Sequence, residues 1–153
     1  MAKKAIPLAE LPIVDKEVDH QFSTDTFNTG AVILIDKPLE WSSFHAVKFV
    51  RNRIPPKKVG HAGTLDPLAT GLLVLCSGKA TKSISQIQEQ EKTYVANIRF
   101  GASTPSFDAA TEPDKVVEWN HITEEKIETV LSEKFSGLIS QVPPIYSAIK
   151  VKG

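Results

Sequence analysis

Apolar runs of different periods alternate with polar and proline-rich stretches along this chain. Residues 31–35 and 71–76 are almost continuously apolar, which is typical of strands buried on both faces. Between them, the two serines at 42–43 precede apolar residues spaced three and four apart. This spacing predicts a capped helix to about Arg53. Residues 93–100 alternate apolar and polar positions and therefore predict a strand with one buried face.

The remaining pattern completes a prediction of fold class. It predicts a short helix over 81–88, a short strand over 116–119, a capped helix over 123–135 and a loop followed by a strand over 141–153. Since strands and helices are interspersed, we expect an α+β (mixed α/β) fold with one mixed sheet flanked by helices. Residues 1–29 show no sustained period and predict a lead segment, an arm with at most one ordered strand. Residues 30–153 then form the folded domain.

Composition excludes several classes of protein. The 153 residues are 41% hydrophobic and 24% charged, and they include one cysteine, Cys76, which cannot form a disulfide within the chain. No apolar run approaches the ~18 residues of a transmembrane helix, and no continuous apolar segment marks a secretory signal. We therefore expect a reduced, cytoplasmic protein without membrane contact. Cys76 lies in an apolar strand, where a buried and inert thiol is expected.

The charges are unevenly distributed, although 18 Lys+Arg balance 18 Asp+Glu. Between Glu40 and Glu89 lie seven lysines and arginines, two histidines and a single acid, Asp66. A basic field attracts a phosphate backbone because neutralised phosphates release counterions, whereas the alternative is a solvated helix face. Cationic neighbours favour the ionised form of a carboxylate, so Asp66 is predicted to be an anionic nucleophile or base. The alternative is a turn aspartate before Pro67.

Other candidate sites are weaker. The stretch 77–81 resembles the end of a phosphate loop but has Leu73 and Ala80 where that motif needs glycine and a hydroxyl. The four histidines have no partner at the spacing of zinc ligands, so neither a metal nor an organic cofactor is expected. Tyr94 opens the alternating strand. Both a core position and a platform for stacking a base remain open for this ring.

One run is long enough to indicate a family: GHAGTLDPLATGLL, at residues 60–73. It resembles the catalytic motif of the TruB family of pseudouridine synthases, which isomerise a uridine in the T-arm loop of transfer RNA. Three further segments match that family in order, at residues 34–43, 91–94 and 141–150. The resemblance covers about residues 30–153 and implies a partial pseudouridine synthase catalytic domain with a mixed, largely antiparallel sheet.

The resemblance also implies roles for particular residues. Asp66 matches the catalytic aspartate, which either attacks the sugar, as in retaining glycosidases, or removes a sugar proton to give a glycal. His61 matches the residue that takes the place of the flipped base, although a loop histidine bonded to backbone is the alternative. Tyr94 matches the residue that stacks on the flipped uracil. The other substrate-side positions implied are Gly63, Thr64, Leu65 and Lys37, of which Lys37 is expected to shape the loop without chemistry.

The implied partner is the T-arm stem-loop of tRNA, bound by a monomer without an obligate protein partner. The basic helix with Lys57 and Lys58 is expected to contact phosphates. In the family the catalytic domain continues beyond the position of Gly153 and supplies an arginine that pairs with the aspartate, so we expect a partial chain. Alternatives are a relative that works inside a guide-RNA particle, a non-catalytic RNA-binding or RNA-folding module, and an inactive fragment of the enzyme.

Overall fold

The computed structural model describes residues 6–17, 22–55 and 58–142. The chain divides into two compact units, Met1–Thr93 and Tyr94–Gly153, each of which holds one sheet. The first unit contains β1 (Ile13–Val14), α1 (Thr24–Thr29), β2 (Val32–Lys37), α2 (Ser43–Arg51), β3 (Val59–His61), β4 (Gly71–Ser77) and α3 (Ile84–Gln88), with 3-10 turns at Leu8–Glu10 and Gly78–Ser83. The second contains β5 (Ala102–Ser103), β6 (Lys115–Val116) and α4 (Glu124–Lys134).

The sheet of the first unit is mixed and largely antiparallel, with strand order β1-β2-β4-β3. Strands β2 and β4 form its centre in antiparallel register, from the pair Val32 and Cys76 to the pair Lys37 and Gly71. Strand β3 is also antiparallel to β4, whereas β1 is parallel to β2. The predicted α+β fold class is confirmed.

The central strands are continuously apolar because both faces of the sheet are covered. Neighbouring residues of a strand point to opposite faces, and here they enter different clusters. One cluster holds Ile33, Leu73 and Leu75 of the sheet with Ala46, Val47 and Val50 of α2. The other holds Val32 and Cys76 with Leu11 and Ala80. The prediction of two strands buried on both faces is confirmed.

Helix α2 follows the predicted capping and spacing. The hydroxyl of Ser42 accepts a hydrogen bond from the backbone N–H of His45, which caps the first turn. Its buried positions are Ser43, Ala46, Val47 and Val50, the i, i+3, i+4, i+7 pattern of a helix lying on a core. Among the described residues, no helix has the length and apolar character needed to cross a membrane.

The lead segment departs from its prediction as an arm. Leu11 is only 6% exposed, and Ile13 and Val14 pair with β2 at the edge of the sheet. Helix α1 packs against the turn that follows β4, where Gly78 has a φ of +52° and a Cβ would overlap the carbonyl oxygens of Phe27 and Asn28. The segment is ordered because its few apolar residues complete the second cluster, which no local periodicity reveals. The division at residue 30 into lead segment and domain stays a prediction.

The predicted strand over residues 93–100 is not present. These residues are irregular, and the face expected to be buried is open to solvent, since Tyr94 is 68% and Ile98 76% exposed. A strand needs a hydrogen-bonded neighbour and a covered face, and within the described ranges no other segment pairs with it. Helix α4 is confirmed, with Thr123 capping its first turn. The strand predicted within residues 141–153 lies outside the described residues from 143 onwards.

The single cysteine is inert by virtue of its position. Burial raises the pKa of the Cys76 thiol to about 11, from an ordinary value of 9.0. We predict no reaction with a chromogenic disulfide reagent at pH 8 in the native state and full reaction after unfolding in urea. The unfolded thiol ionises first, so its contribution to stability is complete below pH 9 and is lost as pH rises towards about 11. Rapid labelling of the native protein would contradict this prediction.

Candidate active site

The run that resembles a catalytic motif forms the connection between β3 and β4. His61 ends β3 and Gly71 begins β4, so the intervening residues, here called the catalytic loop (62–70), project from one end of an antiparallel pair. Within the catalytic loop, the backbone N–H of Ala69 donates to the carbonyl oxygen of Asp66 at 3.0 Å and closes a turn. The Asp66 side chain is exposed. A carboxylate on a turn at the rim of the sheet is open to a bulky substrate.

A serine of α2 fixes the catalytic loop one residue before the aspartate. The Ser43 hydroxyl donates to the carbonyl oxygen of Leu65 at 2.9 Å and accepts from the Leu65 N–H at 2.8 Å. Ser43 is 3% exposed, and the Leu65 side chain packs against the core cluster beneath α2. One hydroxyl therefore satisfies both backbone groups of Leu65 and holds the segment that carries Asp66 against the helix.

We expect Ser43→Ala to lower the free energy of unfolding by about 1–3 kcal/mol, because it leaves both backbone groups of Leu65 without a partner. The measurement is urea unfolding of parent and variant. The matched control is Ser132→Ala, which removes an exposed hydroxyl on α4 and should change stability by less than about 0.5 kcal/mol. Equal stability of Ser43→Ala and Ser132→Ala would show that Ser43 does not anchor the loop.

A buried lysine joins the catalytic loop to the preceding turn. The Lys37 side chain is 0% exposed, and its Nζ donates to the carbonyl oxygens of Pro38 at 3.0 Å, Trp41 at 2.6 Å and Pro67 at 3.4 Å. An ammonium has three N–H donors, so these three carbonyls match its whole capacity. The backbone N–H of Glu40 also donates to Pro67, at 2.8 Å. Glu40 has a φ of +66°, a left-handed conformation uncommon for a residue other than glycine.

His61 is fixed by the catalytic loop itself. Its Nδ1 lies 2.6 Å from the carbonyl oxygen of Gly63. Since a carbonyl oxygen only accepts, Nδ1 carries the proton in this contact. Gly63 adopts a φ of +131°, which side chains rarely tolerate, so the turn that places its carbonyl beneath the imidazole favours glycine. The backbone-bonded alternative for His61 thus has a direct contact, and the same contact orients the ring.

The other predicted positions differ in their surroundings. Thr64 is exposed beside the half-buried Leu65. Among the described residues, no hydrogen bond or ion pair reaches the Asp66 carboxylate, so its cationic surroundings stay a prediction. Tyr94 belongs to the second unit, where its ring is exposed. The described ranges contain no group of three or more His, Cys, Asp or Glu side chains that could hold a metal ion.

Ser43 is the site residue that the sequence prediction missed. It was expected to cap α2 together with Ser42, but only Ser42 accepts the capping hydrogen bond. A usable signal was present, because Ser43 shares a helical face with Ala46, Val47 and Val50. A hydroxyl on an otherwise apolar stripe must find a hydrogen-bond partner when that stripe is buried.

Comparison with known proteins agrees with this geometry. The family model described as TruB family pseudouridylate synthase (N terminal domain) matches residues 51–153. The tRNA pseudouridine synthase B of Phocaeicola vulgatus is 49% identical over 133 residues, which are 83% of this chain and 56% of the relative. That of Flavobacterium johnsoniae is 54% identical over 132 residues, 81% of this chain and 57% of the relative. This chain therefore spans little more than half the length of these relatives.

A solved structure shares the fold. A chain in the "Crystal Structure of a Cbf5-Nop10-Gar1 Complex" matches with a TM-score of 0.54 at 25% identity, covering 85% of this chain and 34% of that chain. The mixed sheet and its loop-borne aspartate are thus those of a pseudouridine synthase domain. The chain belongs to the TruB family of pseudouridylate synthases.

Proposed function

We propose that this chain functions in converting a uridine in the T-arm loop of tRNA to pseudouridine. The observation that carries the proposal is Asp66, an exposed carboxylate on a loop held by Ser43, Lys37 and the Glu40 N–H. A fixed backbone beneath an accessible carboxylate suits a reaction at a nucleotide that must leave the RNA stack. Relatives of which this chain spans little more than half bear the name tRNA pseudouridine synthase B.

The reaction is an isomerisation that needs no other reactant. The N1–C1′ bond of uridine breaks, the uracil turns, C5 bonds to C1′, and the C5 proton is lost while N1 gains one. Asp66 assists either by attacking C1′ to form a transient ester or by removing a sugar proton to give a glycal. Both routes use the ionised carboxylate.

Two further residues are proposed to hold the flipped nucleotide and the gap it leaves. His61 would fill the space vacated by the base, since its hydrogen bond to Gly63 already fixes the imidazole. Tyr94, with 68% of its side chain exposed, would stack on the uracil, an interaction worth about 1–3 kcal/mol. Gly63, Thr64 and Leu65 would supply the backbone between His61 and Asp66. Lys37 would position this backbone without touching the substrate.

The test is release of the C5 hydrogen from an unmodified tRNA transcript that carries tritium at C5 of its uridines. We expect tritium release and pseudouridine from this transcript, and none from one with cytidine in place of the T-arm target. Release without dependence on that position would contradict the T-arm assignment. Absence of product under conditions where RNA binds would favour the non-catalytic RNA-binding module.

Cytoplasmic location and a monomeric state belong to the same proposal. The tRNA substrate implied by the names of the relatives supports the first. The alternative of a guide-RNA particle draws on the solved neighbour, whose title names a complex of three proteins. Light scattering of the purified chain, with and without the T-arm stem-loop, tests the monomer. A requirement for a second RNA in the tritium assay would favour the particle.

A further inference from the structure

The solvent-facing side of α2 carries a column of planar side chains. Trp41, His45, Phe49 and Arg53 follow at intervals of four residues, so they lie above one another along the helix. The Trp41 and His45 rings stack with centroids 4.2 Å apart, and Trp41 and Phe49 meet at 5.2 Å. The Arg53 guanidinium lies 3.4 Å from the Phe49 centroid and donates to the Phe49 carbonyl oxygen at 3.1 Å. Arg53 is thus held in place before any ligand arrives.

A second row, Phe44, Lys48 and Asn52, runs beside this column. The two rows line a groove of about 400 Å³. Phe44 is 65% exposed and Phe49 40% exposed, although the opposite side of the same helix is buried in the core. A large aromatic side chain facing solvent on a well-packed helix marks a surface for binding a partner.

The charge of the groove selects the chemistry of that partner. Its charged side chains, Lys48 and Arg53, are both cationic, and no acidic residue occurs between Glu40 and Asp66 in the sequence. Alternating aromatic and cationic groups suit unpaired nucleotides, whose bases stack while their phosphates pair with lysine and arginine. An acidic or apolar peptide would leave one of these two features unused.

We propose that the α2 groove binds RNA, with an unpaired base stacked on Phe44 and adjoining phosphates at Lys48 and Arg53. The inference rests on the proposed function, because it assigns a second contact with the same substrate. Ser43, at the start of α2, is bonded to the residue before Asp66. Lys48 lies about 8 Å farther along the helix axis. The groove therefore begins at the catalytic loop and leads away from it.

The experiment measures affinity for the fluorescent T-arm stem-loop transcript in an Asp66→Asn background, so that no turnover occurs. We expect Phe44→Leu to weaken binding by about five- to a hundredfold and Phe44→Tyr to retain affinity within about twofold, because stacking needs a ring. Lys48→Gln should reduce the slope of log affinity against log salt by about 1. The matched controls are Phe135→Leu and Lys134→Gln at the end of α4, where Phe135 is 61% exposed.

The outcomes separate this inference from the proposed function. Unchanged affinity of Phe44→Leu overturns the inference and leaves the groove to a protein partner. Equal losses for Phe44→Leu and Phe44→Tyr also overturn it, since the ring would not be the recognised feature. RNA binding that depends on Phe44, with no tritium released by the Asp66 parent, keeps the inference and rejects catalysis. No RNA binding by the parent overturns both. Thermal unfolding midpoints confirm that each variant is folded.

Discussion

Replacing Asp66 by asparagine is expected to reduce pseudouridine formation by at least about a thousandfold while leaving RNA affinity within about twofold. Asparagine has nearly the same shape but is neither a nucleophile towards a sugar carbon nor a base at neutral pH. The side chain is exposed, so the fold does not depend on its charge. We therefore expect the free energy of unfolding to change by less than about 0.5 kcal/mol. Tritium release measures the activity, and fluorescence anisotropy measures the binding.

Two further variants sharpen this test. Asp66→Glu keeps the carboxylate but moves it by one methylene, and such a misplacement is expected to cost about a hundredfold in rate. Asp25→Asn removes an exposed carboxylate on α1, outside the resembling segments, and should leave the rate unchanged. Activity of Asp66→Asn close to that of the parent would remove the catalytic assignment. A parallel loss of RNA binding would instead make Asp66 a binding residue.

Local pattern was enough to predict the elements that bury their own side chains. Residues 31–35 and 71–76 form central strands because branched apolar residues there cover both faces of the sheet. Helix α2 follows from its serine cap and from spacing that recurs along one face. In each case the sequence of the element itself contains the reason for its structure.

Elements that depend on distant partners could not be predicted in this way. Residues 93–100 have the alternation of a strand, yet a strand forms only where a neighbouring segment pairs with it. Leu11 lies in a segment without periodicity and is buried because Val32, Cys76 and Ala80 leave an apolar surface for it. Alternation measures the ability to form a strand, whereas pairing and burial depend on the rest of the chain.

The candidate site divides along the same line. The catalytic loop, with Asp66 and His61, was located from a continuous motif, and the structure places both residues at one end of the β3–β4 pair. The groups that hold the loop come from far along the chain. Ser43 lies 22 positions from Leu65, and Lys37 lies 30 positions from Pro67. Hydrogen bonds of this range are set by the packing of α2 and the sheet, so spacing alone did not reveal them.

Lys37→Met is the substitution we expect to be most damaging to the fold around the loop. It retains an unbranched side chain of similar volume but leaves the carbonyl oxygens of Pro38, Trp41 and Pro67 without their donor. Hydrogen bonds from a charged donor contribute about 1.5–3 kcal/mol each, and water can replace some of them. We therefore expect the free energy of unfolding to fall by about 2–3 kcal/mol. Urea unfolding in a Trp119→Phe background reports this loss, because Trp41 is then the only tryptophan.

The rate of reaction distinguishes a positioning role from general stabilisation. At a temperature where Lys37→Met remains folded, kcat should fall at least tenfold with KM little changed, because the Pro67 carbonyl adjoins Asp66. Lys37→Arg should not restore the rate, since a planar guanidinium cannot place its donors as an ammonium does. Lys134→Met, at an exposed lysine on α4, is the matched control and should change neither stability nor rate. Full activity of folded Lys37→Met would show that the three carbonyls stabilise the turn without positioning Asp66.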